Sequence, residues 1–411
     1  MAVKDNIERF AAEQGWVVKY ADDGTPNFFY PIPKMKSSDL DPSLPNHTHP
    51  AFIVNGQEID RRLIAVYKGG NFNGAAHSIP NVPPLVNLGA DALLTRIKNC
   101  GAGFGPKTVA DSGLLLLLAR KLGYSVVKGN NNRGQDYRDG TLWAVNQNVT
   151  VNATRTFQGV QYTCLIAHTT SLATKPDVSP LYWKRGRRIG GIPVASQISD
   201  SEPNGLNTLT GSGPVSWRFG GVANGIDDLT GNACDTDYGY RIVDGEIQIL
   251  ADNNAAHPNA DLGASSAAWK AILPNQSDNG YTLVAPGTAG TLHWNWLSNK
   301  WTLDTVTADT TIGEKSTAFK DLAVNSSNVP YVPCIMQELG LFPISGDTTQ
   351  GTMYLNPSGE RFPRRGGSYN NTSNAGLGYV NSNNTRSNTN TYYGVRSGSA
   401  SMRRAAARQL P

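Results

Sequence analysis

The chain has 411 residues, of which 17% are charged and 39% hydrophobic, with 43 glycines and a formal net charge of +4. That length allows a large core and one to three domains, and low charge with abundant glycine points to a loop-rich globular protein rather than a helical bundle or a disordered chain. Thirty-six Lys and Arg against 32 Asp and Glu is too mild a balance to indicate nucleic acid, and with no nucleic-acid motif the basic runs Lys184–Arg188 and Arg403–Arg404 read as solvated surface.

Residues 5–14 predict a short amphipathic helix with Ile7, Phe10 and Ala11 on one side. No apolar stretch of signal-peptide length accompanies it, and no later run approaches a membrane span. The expectation is a protein made in a cytoplasm, with no signal peptide and no membrane insertion. Gly15–Tyr20 predicts a strand, and the prolines from Pro31 to Pro50 predict a linker. Residues 1–48 are therefore expected to be a small attachment module with its linker, and residues 49–411 the main domain.

Strands are predicted at Ala51–Val54 and Leu63–Tyr67, and helices at Ala90–Asn99 and Thr108–Leu122, the second stopped by Gly123. The Leu114–Leu118 run is apolar all round, which suits a helix packed on several sides. Gly129–Gly134 predicts a polar turn, and Leu142–Val145 and Gln161–Ala167 predict strands. Asp244-Gly245 between the alternating runs Tyr240–Val243 and Glu246–Leu250 is the clearest local signal, because both residues tolerate the positive φ of a tight hairpin turn. Tyr281–Val284 and Leu292–Leu297 are candidate short strands. The sum is an α+β fold with small antiparallel sheets, two helices and long loops.

Chemistry-bearing clusters are sparse. Cys100, Cys164, Cys234 and Cys334 form no CxxC and no disulfide framework. His47 and His49 alternate on an extended stretch without a third ligand at recognisable spacing, so no metal site is assigned. Asp227-Asp228 and Asp235-Thr236-Asp237 have the oxygens for calcium but read better as turn caps. No cofactor motif is present.

The segment Arg365–Ala400 is built from Asn, Ser, Thr, Tyr and Gly, with no Asp, Glu or Lys. Tyr supplies contact area at low entropic cost, and Ser, Gly and Asn supply adaptable hydrogen bonding, as in antibody binding loops. A disordered polar tail and a plain Asn-rich loop region are the competing readings. Tyr369, Leu377, Tyr379, Val380, Tyr392, Tyr393 and Val395 punctuate the segment and disfavour the tail.

Ser216–Phe219, Ile226–Asn232 and Tyr240–Ile247, followed by Arg365–Tyr369 and Asn388–Arg396, resemble the C-type lectin fold of the formylglycine-generating-enzyme type. Within it, they most resemble the variable proteins of diversity-generating retroelements, especially those of phages and prophages. The resemblance covers about residues 50–400 and implies a hypervariable region at about 365–400, whose crowding of Asn, Ser, Thr and Tyr fits adenine mutagenesis of Asn codons. The family's RGGSW and GFR stretches stand here as Arg365–Tyr369 and Gly394-Val395-Arg396, and Ala233, Cys234 and Asp235 replace its aromatic-acidic-aromatic triplet. The enzymes of this fold need a cysteine pair near the C-terminus or a histidine set; no Cys follows Cys334 and no His follows His293.

The resemblance implies a non-enzymatic receptor-binding protein, such as a phage or prophage tail adhesin, that meets a protein or carbohydrate receptor on a target cell. It would reside in the virion, or in the bacterial cytoplasm before assembly, and contact other virion proteins through the N-terminal module. Tyr369, Asn371, Thr372, Asn374, Tyr379, Asn381, Asn390, Tyr392 and Tyr393 are the expected contacts, with the tyrosines as rigid anchors. Gly366, Gly367, Gly394, Arg386 and Arg396 are expected to shape the frame. A structural virion component without a variable site, or an enzyme of this fold using Cys100, Cys164 or Cys234, is the rival function.

Overall fold

A computed structural model describes residues 2–124 and 126–400 of the chain. Arg403–Arg404 lie outside the described residues. With 17% of residues helical and 30% in strands, most of them in small sheets, the protein is of mixed α+β class.

The Asp-Gly hairpin forms at the predicted place. Tyr240–Val243 pairs antiparallel with Glu246–Ile249, and Asp244 and Gly245 take φ values of 47° and 82°. Its apolar residues enter the largest hydrophobic cluster together with Trp294, Trp301 and Leu303 of the neighbouring strand pair.

The helix Val109–Lys121 crosses the same cluster, with Leu114–Leu117 buried. Its start is a reciprocal capping box: Thr108 Oγ1 accepts from the Asp111 amide at 3.2 Å, and Asp111 accepts from the Thr108 amide at 2.9 Å. Gly113 sits where the Glu338 carbonyl passes so closely that a Cβ would lie 1.9 Å from its oxygen. The shorter helix Ala90–Lys98 buries Leu93, Leu94 and Ile97 in a second cluster.

A six-stranded mixed sheet positions the C-terminal segment. Its order is Lys315–Ala318, Thr352–Leu355, Gly376–Ser382, Arg364–Gly366, Cys234–Thr236 and Tyr393–Gly394. Two of its pairings are parallel, so the expected purely antiparallel sheets are corrected at this point. Long connections make this possible, because parallel neighbours need a crossover rather than a tight turn.

Residues 2–48 do not stand apart from the rest of the described chain. Pro26–Pro33 pairs with Arg61–Ala65, whose other side pairs with Ser397–Ala400, so one five-stranded sheet spans the expected boundary. Trp16, Phe28 and Tyr67 make edge-to-face contacts, and the Trp16 indole donates to the Asn224 carbonyl at 2.7 Å. The proline-rich stretch is docked too. Leu40 and Leu44 are buried, and the His49 ring meets the Glu338 carbonyl at 3.0 Å. Prolines here fix the path of an ordered segment rather than mark a free linker.

Residues 142–211 include a three-stranded sheet, Thr154–Phe157, Val160–Cys164 and Trp183–Arg188, over a core containing Trp143 and Trp183. The strand predicted at Leu142–Val145 is an extended stretch held by Trp143 N to Thr156 O at 2.8 Å.

Candidate binding surface

Arginines pin the C-terminal segment at several points. Arg396 is fully buried and spends its whole fork: Nε on Asp235 at 2.9 Å, Nη1 on the Ala65 and Val66 carbonyls, and Nη2 on the Asp227 and Asp228 carbonyls. Arg365 donates to the Gly340 and Leu377 carbonyls at 2.9 and 3.3 Å. Arg386 reaches Glu360, Asp91 and the Leu262 carbonyl. Arg364 lies under the Tyr393 ring, 4.8 Å from its centroid, a cation–π contact strengthened by desolvation. Gly366 and Gly367 both have positive φ, and a Cβ on Gly366 would lie 2.4 Å from the Leu229 carbonyl.

The acidic residues of the centre serve this frame. Asp235 pairs with Lys68 at 2.9 Å and with Arg396, and Asp237 pairs with Lys107 and Ser112 at 2.5 Å each. Burial alone would raise Asp235, but Arg396, Lys68 and Lys107 outweigh it and hold the carboxyl below the usual range. For Asp237, burial wins and pushes the carboxyl up. At Asp235 and Asp237 the expectation of turn caps is thus replaced by buried ion pairs, which are costly to break because the surviving charge is left uncompensated, whereas Asp227 accepts from the Gly211 amide at 2.8 Å. Among the described residues no group of three or more His, Cys, Asp or Glu is disposed to hold a metal ion.

The nine candidate contacts divide. Thr372 and Asn374 are exposed, and Asn371, Asn390 and Tyr392 are half-buried. Tyr369 is buried, with its hydroxyl 2.8 Å from Thr391 Oγ1. Tyr379, Asn381 and Tyr393 are also buried, which corrects the expectation that they face outward. The reason is topological. Gly376–Ser382 is an interior strand covered on both faces, and all seven of its residues are buried. Asn381 donates to the Tyr379 hydroxyl at 3.2 Å and accepts from the Asn383 amide and the Asn384 side chain. Burial pushes the Tyr379 and Tyr393 phenols well up.

The accessible side chains fall in two loops. The first contains Asn370, Thr372, Ser373 and Asn374, and the second Thr385, Ser387, Asn388 and Thr389. The first leans on the polar turn at 129–134, through Thr372 N to Asn131 O at 2.9 Å and Arg133 N to Tyr369 O at 2.8 Å. The second is tied to the frame by Asn87 N to Asn390 O at 3.0 Å and Cys234 N to Tyr392 O at 2.8 Å. They meet where Tyr369 touches Thr391 and stacks edge-on against Tyr392 at 6.4 Å. The Arg133–Glu202 pair, 2.7 Å apart, flanks the junction. Composition of the C-terminal segment carries no signal for that pair; the polar turn was legible, but its long-range partner was not.

Thr372 has φ of 48°. A β-branched residue in the left-handed region is a true outlier, costing about 1–3 kcal/mol, and such strain clusters at functional loops. Chemically, the junction offers hydroxyls, amides and ring edges but no activated nucleophile. Burial pushes the Cys100, Cys234 and Cys334 thiols up to about 12, leaving them protonated at neutral pH. No family model matches the chain, and no curated protein is significantly similar to it.

Proposed function

We propose that the protein is a non-enzymatic binding protein that recognises a protein or carbohydrate receptor through the two C-terminal loops. Its frame would be the C-type lectin fold of the formylglycine-generating type, and its carrier a phage or prophage tail. The observation that carries this reading is the separation of roles within one segment. Buried arginines and glycines hold the backbone, while side chains of the two loops at 370–374 and 385–389 are exposed, uncharged and able to hydrogen-bond. Such a layout lets side chains change without unfolding what holds them.

The contact set keeps Asn371, Thr372, Asn374, Asn390 and Tyr392 and gains Asn370, Ser373, Ser387, Asn388 and Thr389. Tyr369 backs Tyr392 as a rigid anchor, and Tyr379, Asn381 and Tyr393 belong to the frame. Diversification by a retroelement adds a genetic expectation: a near-identical repeat of the coding region for about residues 365–400, differing at adenines and beside a reverse transcriptase. Finding neither in the locus favours a structural virion component. The direct experiment replaces Asn370, Thr372, Ser373, Asn374, Ser387, Asn388 and Thr389 together by Ala and measures attachment to host cells alongside thermal unfolding. Loss of attachment with an unchanged transition supports the reading; retained attachment refutes it.

A further inference from the structure

Among the described residues, Trp183–Arg188 is the last strand of its sheet. The strand pairs antiparallel with Val160–Cys164 on one side only. The opposite margin, Thr154–Phe157, is closed by backbone bonds between Thr156 and both Thr141 and Trp143. Among the described residues, no backbone bond leaves the outer side of Lys184–Arg188. All five of these residues are exposed, and for Gly186 exposure means the backbone itself. An open row of N–H and C=O groups is a template for another strand.

The strand carries four cations in five residues. Lys184, Arg185 and Arg187 make no ion pair or side-chain hydrogen bond among the described residues, whereas Arg188 donates to the Gln158 and Gly191 carbonyls at 3.0 and 2.8 Å. Gln161 stands opposite an irregularity in the strand, and the cations are distributed over both faces. Arg185 lines a groove of about 580 Å³ floored by Phe157, Tyr162, Pro176 and Pro180. Arg187 lines one of about 330 Å³ on the other face, beside Gln161 and Lys128. A single charge is enough to discourage self-pairing at an edge. Several unpaired cations with a groove on each face offer more: a strand's backbone bonds and sites for its alternate side chains.

We propose that Trp183–Arg188 is a docking edge for an acidic, extended segment of a partner protein, which adds as a further strand and sets carboxylates against Lys184, Arg185 and Arg187. A peptide is favoured over a polyphosphate or sulfated sugar because only a peptide backbone satisfies the open amides and carbonyls. The larger groove also has an apolar floor suited to the residues between the acids.

The test uses the full chain with a fluorescent peptide of alternating Glu and Val, read by anisotropy and by amide hydrogen exchange. The Glu-Val peptide is expected to bind in a salt-sensitive way and to protect the amides of residues 184–188, while a Lys-Val peptide does not bind. The double variant Arg185→Gln, Arg187→Gln is expected to keep its Trp fluorescence and weaken binding by about tenfold or more, as lost charge complementarity does. No binding of the Glu-Val peptide overturns the assignment. So does equal binding of a heparin oligosaccharide or single-stranded DNA without amide protection, which marks a polyanion patch. Protection of the same amides by self-association, without peptide, overturns it in favour of a contact between copies.

Discussion

Within the C-terminal segment, the pinned stretches and the loops between them draw on similar residue types yet behave oppositely. Tyr393 and Tyr392 are neighbours in sequence, and their rings touch at 4.8 Å. One is buried in the edge strand with its ring over a buried guanidinium, and the other stands half-exposed against Tyr369. Asn381 is enclosed in a strand, while Asn370, Asn374 and Asn388 are open. An uncharged polar side chain can serve either place: it satisfies buried partners without the desolvation cost of a charge, and it meets a ligand equally well.

The contrast breaks most visibly at Arg396. Arg396→Ala strands four buried carbonyls and leaves Asp235 with only Lys68 and Lys107, and a loss of about 3–5 kcal/mol is expected in urea unfolding. Arg396→Lys should recover little, because one ammonium cannot span the acceptors that a planar fork reaches. A stability within about 1 kcal/mol of the parent for Arg396→Ala would remove the clamp from the account.

Tyr393→Ala is expected to cost about 3 kcal/mol, as truncation of a buried aromatic ring does. Tyr392→Ala should cost about 1 kcal/mol while abolishing attachment. Equal destabilisation by the two would erase the distinction between frame and surface. At the strained position, Thr372→Asn should raise stability by about 1 kcal/mol, since Asn visits the left-handed region readily and Thr does not. A fall in midpoint would show that the Thr side chain itself is needed there.

The smallest expected effect lies outside the segment. His47 Nε2 is 2.6 Å from Glu338 Oε1, and that bond raises the His47 pKa above its ordinary 6.5 against a smaller opposing effect of burial, with Glu338 and Asp252 charges assisting. Its contribution is therefore present below pH 6.5 and lost as pH rises through the raised value. Burial would raise Glu338, but His47, His49 and Ser37 hold it below 4.5, so the contact also fails as pH falls through that lower value. Buried His49, pulled down to about 4, stays neutral throughout the upper interval. His47→Gln should flatten the dependence of the thermal midpoint on pH just above 6.5; an unchanged slope would show that the half-exposed pair carries little.

Local signals were read where local chemistry decides structure. The Asp-Gly turn and the helix carrying Leu114–Leu117 appear where the residues place them. The proline-rich stretch is docked rather than a free linker because its hold on Glu338 depends on a partner nearly 300 residues away. The sequence by itself determined the α+β class, the main turn and helix positions, and the uncharged chemistry of the C-terminal segment, because propensity, capping and composition act over a few residues. Only the tertiary structure decided which tyrosines and asparagines are reachable. Side chains of one type are sorted by whether a strand is covered on one face or two, and that depends on the pairing of Gly376–Ser382 with Thr352–Leu355 on one side and Arg364–Gly366 on the other, which no local pattern encodes.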